Sequence, residues 1–312
     1  MNLLFLGSSP FSVPFLDYLY CSTHNIPLVI TNPDAPAGRG KKMRPNPVKV
    51  KALELGIRVM EINGIDKQVI RSLSMEELDA AVVVSFGIIL PEEFLNIFSG
   101  LCINVHPSLL PKYRGPTPIS SALENGDQIT GVSIMKMSPR MDAGPLFSQI
   151  KIAVMPEDNL GSLKDKMIKM GRDLLETNLM LIEEDNMATF EQDESYATYT
   201  TLIDRKKLKI NWEDPAEKIA NMVRAYSPDP GCFSFYEGQR IKILKSKAIQ
   251  WEDVQDFLPG NIVGTKNGQG FFVLCGKNSA LSVEKLQPAG KKPISAVDFL
   301  NGYKLKVGDK FE

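Results

Sequence analysis

Five short apolar runs recur through the first part of the chain, at residues 2–6, 27–31, 57–60, 80–84 and 101–105. Each has strand length, and the run at 80–84 is apolar enough to be covered on both faces. Between them lie stretches with helical signals at 11–20, 47–55, 66–73 and 91–98. Residues 91–98 start on proline with two glutamates close behind, as a helix N-terminus prefers. Strands that alternate with helices admit few architectures. The pattern predicts an α/β fold with a doubly wound, mostly parallel, Rossmann-like sheet.

The pattern continues and then changes. A helix is predicted over 118–125, stopped by Gly126. Longer strands at 130–137 and 146–154 read as a pair, able to run antiparallel, with the Asp142 loop between them. A long amphipathic helix follows at 160–182, then a polar stretch at 185–210 that reads as a linker. After a helix at 215–226, short strands broken by glycines lie around 232–236, 240–249, 262–264, 271–275 and 280–286. These predict a small C-terminal β-barrel, OB-like in character. The expected division is therefore 1–184, a linker at 185–210, and 211–312.

With 43% hydrophobic and 23% charged residues, the composition is that of a folded soluble protein. The formal net charge of −1 implies no special partner, but its distribution does. Residues 1–204 hold 18 Lys/Arg against 25 Asp/Glu, whereas 205–312 hold 18 against 12. A basic end on an acidic body suggests that the end meets a polyanion. None of the cysteines Cys21, Cys102, Cys232 and Cys275 forms a C-x-x-C pair, and Cys102 and Cys275 lie in apolar runs as small core residues. That usage fits a reducing cytoplasm. No signal peptide is evident, and the longest apolar stretch, 80–90, is too short to span a bilayer. A cytoplasmic location is expected.

The chemistry-bearing residues cluster around the fifth run. Asn104 and His106 sit at its end, and Asp142 lies beyond a later strand candidate. In open α/β sheets the site lies outside the carboxyl ends of the strands. An amide donor, an imidazole and a carboxylate together suit acyl-group transfer. The other histidine, His24, lies in the polar turn Cys21-Ser22-Thr23-His24-Asn25 and reads as exposed and inert. Gly7-Ser8-Ser9 lacks the spacing of a dinucleotide-binding turn, which argues against redox cofactor chemistry.

The stretch Asn104-x-His106-x-Ser108-Leu109-Leu110-Pro111-x-Tyr113-Arg114-Gly115, with Asp142 beyond, resembles the 10-formyltetrahydrofolate-dependent formyltransferases. The resemblance implies 10-formyltetrahydrofolate as formyl donor, no metal, and Asn104, His106 and Asp142 as catalytic residues. It implies a folate site formed by Phe86, Gly87, Ile88, Ile89 and Leu90 together with Ser108, Leu109, Leu110 and Pro111. Position 107 is proline, where some relatives carry a small residue, so this position offers no N–H to an oxyanion. Whether His106 acts as base or as oxyanion donor stays open.

Two features resemble the branch of that family that acts on initiator methionyl-tRNA. One is the basic end. The other is the loop Asn32-Pro33-Asp34-Ala35-Pro36-Ala37-Gly38-Arg39-Gly40-Lys41-Lys42. Arg39, Lys41, Lys42, Arg44, Lys49 and Lys51 stand there against a single nearby acid, Asp34. Such a loop suits a nucleic-acid backbone. Arg39, Lys41 and Lys42 are the expected tRNA contacts, residues 1–184 the catalytic part and 211–312 the tRNA-binding part of a monomeric enzyme. The alternatives are a sugar-nucleotide N-formyltransferase and a non-catalytic nucleic-acid-binding protein.

Overall fold

The apolar runs become strands of one seven-stranded sheet. The computed structural model describes residues 1–37, 42–98, 100–252, 257–266 and 270–312. In chain order the first elements are β1 (Asn2–Gly7), α1 (Val13–Tyr20) and β2 (Asn25–Thr31). A short hairpin of β3 (Ala35–Ala37) and β4 (Lys42–Arg44) follows. Next come α2 (Pro47–Glu54), β5 (Arg58–Glu61), α3 (Lys67–Leu73), β6 (Ala80–Val84), α4 (Glu92–Ile97) and β7 (Cys102–His106). The series ends with α5 (Pro118–Glu124), β8 (Ile129–Lys136), β9 (Leu146–Ala153) and α6 (Leu160–Glu183).

The strand order is β5-β2-β1-β6-β7-β8-β9. From β5 to β7 every pairing is parallel, and the winding reverses between β1 and β6. That reversal is the doubly wound switch point, where ligands of such sheets bind. One face packs Leu4, Leu6, Leu28, Ile30, Ala81 and Val83 with Leu73 of α3 and Phe94 of α4. The alternate residues Leu3, Phe5, Val29 and Val82 are equally buried, so both faces are covered. The β8 and β9 pair is antiparallel, and β8 also runs antiparallel to β7.

The chain forms two compact units. The first comprises Met1–Pro118, Ile129–Ala153 and Lys164–Thr201; the second comprises Ile119–Gln128, Val154–Leu163 and Leu202–Glu312. The second holds α7 (Ala216–Tyr226), β10 (Cys232–Tyr236), β11 (Gln239–Gln250), β12 (Ile262–Lys266), β13 (Gly270–Cys275), β14 (Ser279–Pro288), β15 (Ile294–Ser295) and α8 (Ala296–Tyr303). Its strands form an antiparallel sheet in the order β10-β11-β14-β13-β12, with β15 on β14. An aromatic core fills it. Phe271 stacks on Phe311 at 5.8 Å between ring centres, and Trp212 and Tyr236 pack on Phe311 at 6.0 and 5.3 Å.

Candidate active site

His106 is the last residue of β7 and Asn104 lies two before it, so both belong to one face of that strand. Both are buried. His106 Nε2 lies 3.0 Å from the Tyr113 carbonyl oxygen. A carbonyl can only accept, so Nε2 carries hydrogen and donates. In the neutral ring the lone pair then sits on Nδ1. Nδ1 is 3.7 Å from Asp142 Oδ2, too far for a direct hydrogen bond and close enough for charge attraction only when the ring is protonated. Among the described residues the Asn104 side-chain amide has no hydrogen-bond partner, so its N–H groups are available.

Asp142 reaches this place by a route the sequence pattern did not show. Because β8 runs antiparallel to β7, its end at Lys136 is level with Ile103, not with His106. The chain folds back through the loop to β9. Gly144 makes the return possible, since a Cβ there would overlap the Lys136 carbonyl oxygen. Asp142 itself sits at φ 48°, a left-handed conformation uncommon outside glycine. Its Oδ2 accepts a 2.7 Å hydrogen bond from the Gly115 amide. Tyr113 is also left-handed, at φ 61°. Strained backbone on both sides of the His106–Asp142 pair is the pattern expected where geometry serves chemistry.

The loop after β7 is stitched down. The Ser108 hydroxyl donates to the Lys112 carbonyl at 2.6 Å, and the Ser133 hydroxyl donates to the Ser108 carbonyl at 2.6 Å. Gln149 donates to the Leu110 carbonyl and to the Ser133 hydroxyl. The Ser108 N–H is spent on the His106 carbonyl at 2.9 Å. With Pro107 lacking an N–H, neither position just after His106 offers a free backbone donor. Leu109 and Pro111 are half-buried and Leu110 is buried.

Arg114 anchors the far side of that loop. Its side chain is fully buried, yet every bond is made. Nε and Nη2 donate to Gln192 Oε1 at 3.2 and 2.8 Å, and Nη1 and Nη2 each donate to a Glu194 carboxylate oxygen at 3.0 Å. Nη1 also meets the Tyr199 hydroxyl at 3.1 Å. The guanidinium beside Glu194 holds that carboxyl below the ordinary glutamate range, and Glu194 in turn keeps Arg114 charged. Backbone bonds tie Arg114 to Thr198 and Thr200.

The second predicted segment follows β6. Phe86 and Leu90 are buried, and Ile88 packs beside them in the sheet core. Gly87 is exposed at φ 79°, and Ile89 is 81% exposed. The Ser85 carbonyl accepts from Ser8 N–H at 3.2 Å, which ties the loops after β1 and β6 together at the switch point. Phe86 to Leu90 and the residues after His106 thus leave the same end of two adjacent parallel strands.

Of the predicted tRNA contacts, Arg39, Lys41 and the Lys42 side chain lie outside the described residues. Two of the cations counted there are already paired with carboxylates. Lys49 pairs with Asp34 at 3.2 Å and Glu61 at 2.8 Å, and Lys51 with Asp17 and Glu54 at 3.3 and 3.5 Å. Both belong to the α2 surface, so Asp34 is not the only acid near them. His24 also differs from expectation: it is buried, with Glu176 and Glu183 carboxylates at 3.8 and 3.6 Å. Its polar sequence neighbours hid that burial. Among the described residues no group of three or more His, Cys, Asp or Glu could hold a metal.

Several site residues escaped the sequence reading. Tyr113 and Gly115 act through the backbone, which no side-chain pattern announces. Arg114 stood inside the motif and was open to notice. Ser133, Gln149 and Gln192 gave no local signal.

Residues 1–179 match the family model described as formyl transferase, and residues 202–304 match formyl transferase, C-terminal domain. The chain is 39% identical over 314 residues to a methionyl-tRNA formyltransferase of Dictyoglomus thermophilum, covering 100% of each. It is 37% identical over 312 residues to that of Carboxydothermus hydrogenoformans, again covering 100% of each. Among solved structures, it shares its fold with a sugar 3N-formyl transferase, WlaRD, determined in the presence of dTDP and 5-N-formyl-THF. That match has TM-score 0.67 and 18% identity over 94% of this chain and 99% of the other. HypX from Aquifex aeolicus, in complex with tetrahydrofolic acid, matches at TM-score 0.62 and 15% identity over 99% of this chain and 48% of its own. The chain belongs to the formyl transferase family.

Proposed function

We propose that the chain transfers the formyl group of 10-formyltetrahydrofolate to the α-amino group of methionine esterified to initiator tRNA, for translation initiation. The observation that carries this reading is the His106–Asp142 pair beside an unengaged Asn104 amide, in a chain similar over its whole length to methionyl-tRNA formyltransferases. No observation here favours a sugar-nucleotide acceptor, since the sugar formyltransferase is alike in fold only.

The chemistry assigns the roles. A free α-amine has a pKa of about 7.7–8, so near neutral pH a useful share is unprotonated and nucleophilic. Its nitrogen bonds to the formyl carbon, and the formyl oxygen becomes an oxyanion. The Asn104 amide donates to that oxygen. The attacking nitrogen is now cationic and must lose a proton. His106 Nδ1 takes it, because Nε2 is already committed to Tyr113. The Asp142 carboxylate stabilises the imidazolium that results. The same proton then passes to N10 of the folate as the C–N10 bond breaks, leaving formyl-methionyl-tRNA and tetrahydrofolate.

The folate would lie along Phe86 to Leu90 and Ser108 to Pro111, where the exposed Gly87 backbone and Ile89 side chain give a flat ring a surface. Arg39, Lys41 and Lys42 would hold the acceptor end of the tRNA. Residues 1–184 would carry the chemistry and 211–312 would bind the tRNA backbone, which suits the basic balance of the C-terminal part. We read the protein as a cytoplasmic monomer; no helix among the described residues is long and apolar enough to cross a membrane. The test is formyl transfer from 10-formyltetrahydrofolate to charged initiator tRNA, measured beside transfer to sugar-nucleotide amines. Transfer to the tRNA alone is expected. Transfer only to the sugar nucleotide would overturn the acceptor, and transfer to neither would overturn the reaction.

A further inference from the structure

Resting on the reading of His106 and Asp142 above, we propose that Gln192 is a positioning residue for formyl transfer: it sets the Asp142 carboxylate against His106. Gln192 lies some fifty residues beyond the Asp142 loop, in the polar stretch after α6, and it is buried. Its Nε2 donates both hydrogens to the loop, to the Asp142 carbonyl at 2.9 Å and the Gly144 carbonyl at 2.7 Å. Its Oε1 accepts two bonds from Arg114, from Nε at 3.2 Å and Nη2 at 2.8 Å. The orientation of the amide is unambiguous, because guanidinium only donates and carbonyl oxygens only accept.

The arrangement reaches both members of the pair. Arg114 stands between the two residues that touch them: the Tyr113 carbonyl holds His106 Nε2, and the Gly115 N–H holds Asp142 Oδ2. Gln192 joins that anchor to the opposite loop. The loop needs an anchor, since Arg140 and Met141 are 74% and 59% exposed and Asp142 is left-handed. The task also selects the residue type. The side chain must accept two bonds from a cation and donate two to carbonyls within one plane. A carboxylate has no hydrogens to give, and lysine cannot accept. A small displacement of a catalytic group costs far more in rate than in stability. The groups that set the charge around the pair are His106, Asp142, Arg114, Glu194 and Arg140, the last 3.7 Å from Glu194.

The test uses Gln192→Met, which keeps the length and removes all four bonds, alone and combined with Asp142→Asn. We expect Gln192→Met to lower kcat by about 10²-fold. KM for both substrates should not move, and the pH profile of kcat should be displaced in the same sense as in Asp142→Asn. In the Asp142→Asn background the same change should cost much less than in the wild type, because its main route, through the bonds to the Asp142 loop, ends on that carboxylate. Losses that multiply in the double variant would overturn the proposal. So would a Gln192→Met enzyme with unchanged kcat and pH profile beside an impaired Asp142→Asn, an outcome that leaves the proposed function intact. An unimpaired Asp142→Asn would instead remove the role of Asp142 itself, and the proposal with it. Should Gln192→Met not fold, Gln192→Glu carries the same test, since its carboxylate still accepts from Arg114 but has no hydrogens for the two carbonyls.

Discussion

The loop after β6 and the loop after β7 leave adjacent parallel strands at the same end, yet different forces hold them. At 85–91 the anchors are apolar: Phe86, Ile88 and Leu90 enter the core while Gly87 and Ile89 stay outside. At 107–117 the anchors are hydrogen bonds, donated by Ser133, Gln149 and the buried Arg114 and accepted by the Thr198 and Thr200 hydroxyls. Apolar burial is non-directional, so between the engaged carbonyls of Ser85 and Pro91 the backbone of the first loop is not used up. It can offer that backbone and an exposed isoleucine to a flat ligand. Hydrogen bonds fix distances and angles, so the second loop can hold an imidazole and a carboxylate at a set separation. In the proposed function, the first loop would serve binding and the second proton transfer.

The largest effect on stability should come from the apolar anchor. Phe86→Ala should cost about 3–5 kcal/mol in urea unfolding, the usual loss for a buried phenylalanine. A loss below about 1 kcal/mol would mean that the loop is not core-anchored.

The polar anchor should show a smaller loss with a pH signature. Arg114→Lys keeps the charge and loses the fork, and should cost about 1–3 kcal/mol. Glu194 is held below its ordinary value of 4.5 by the Arg114 hydrogen bond. A carboxylate with a depressed folded-state pKa stabilises the fold above its unfolded value, and that contribution is lost as pH falls through the folded pKa. The stability gap between wild type and Glu194→Gln should therefore be present at neutral pH and close as the pH drops below about 4.5. A gap that widens on acidification would contradict the pairing.

The smallest effect sharpens the contrast. Ile89→Ser should leave stability within about 0.5 kcal/mol, as exposed positions do, while weakening folate binding. Unchanged folate affinity would remove Ile89 from the binding surface.

What the sequence disclosed follows the same division. The strands were legible because a buried parallel strand is a nearly continuous apolar run, and the candidate site around Asn104 and His106 could be named because those two residues lie close together in sequence. The direction of β8 was not legible, since apolar content says nothing about polarity of pairing. Gln192 and Glu194 were hidden because they meet Arg114 across about eighty residues of chain, in a polar stretch that reads as a linker. His24 differs for a related reason: the groups that meet it, Met1 and Glu176 and Glu183 of α6, are distant in sequence. The helix α8 went unnoticed because its eight residues include a glycine, which lowers helical propensity.

The division of labour between the loops is tested most directly by His106→Ala, with the single-turnover formyl-transfer rate and the folate Kd measured on the same preparation. The rate should fall by about 10²–10⁴-fold, the usual worth of a positioned acid or base, and the folate Kd should stay at the wild-type value. A wild-type rate, or a rate loss fully explained by weaker folate binding, would contradict it.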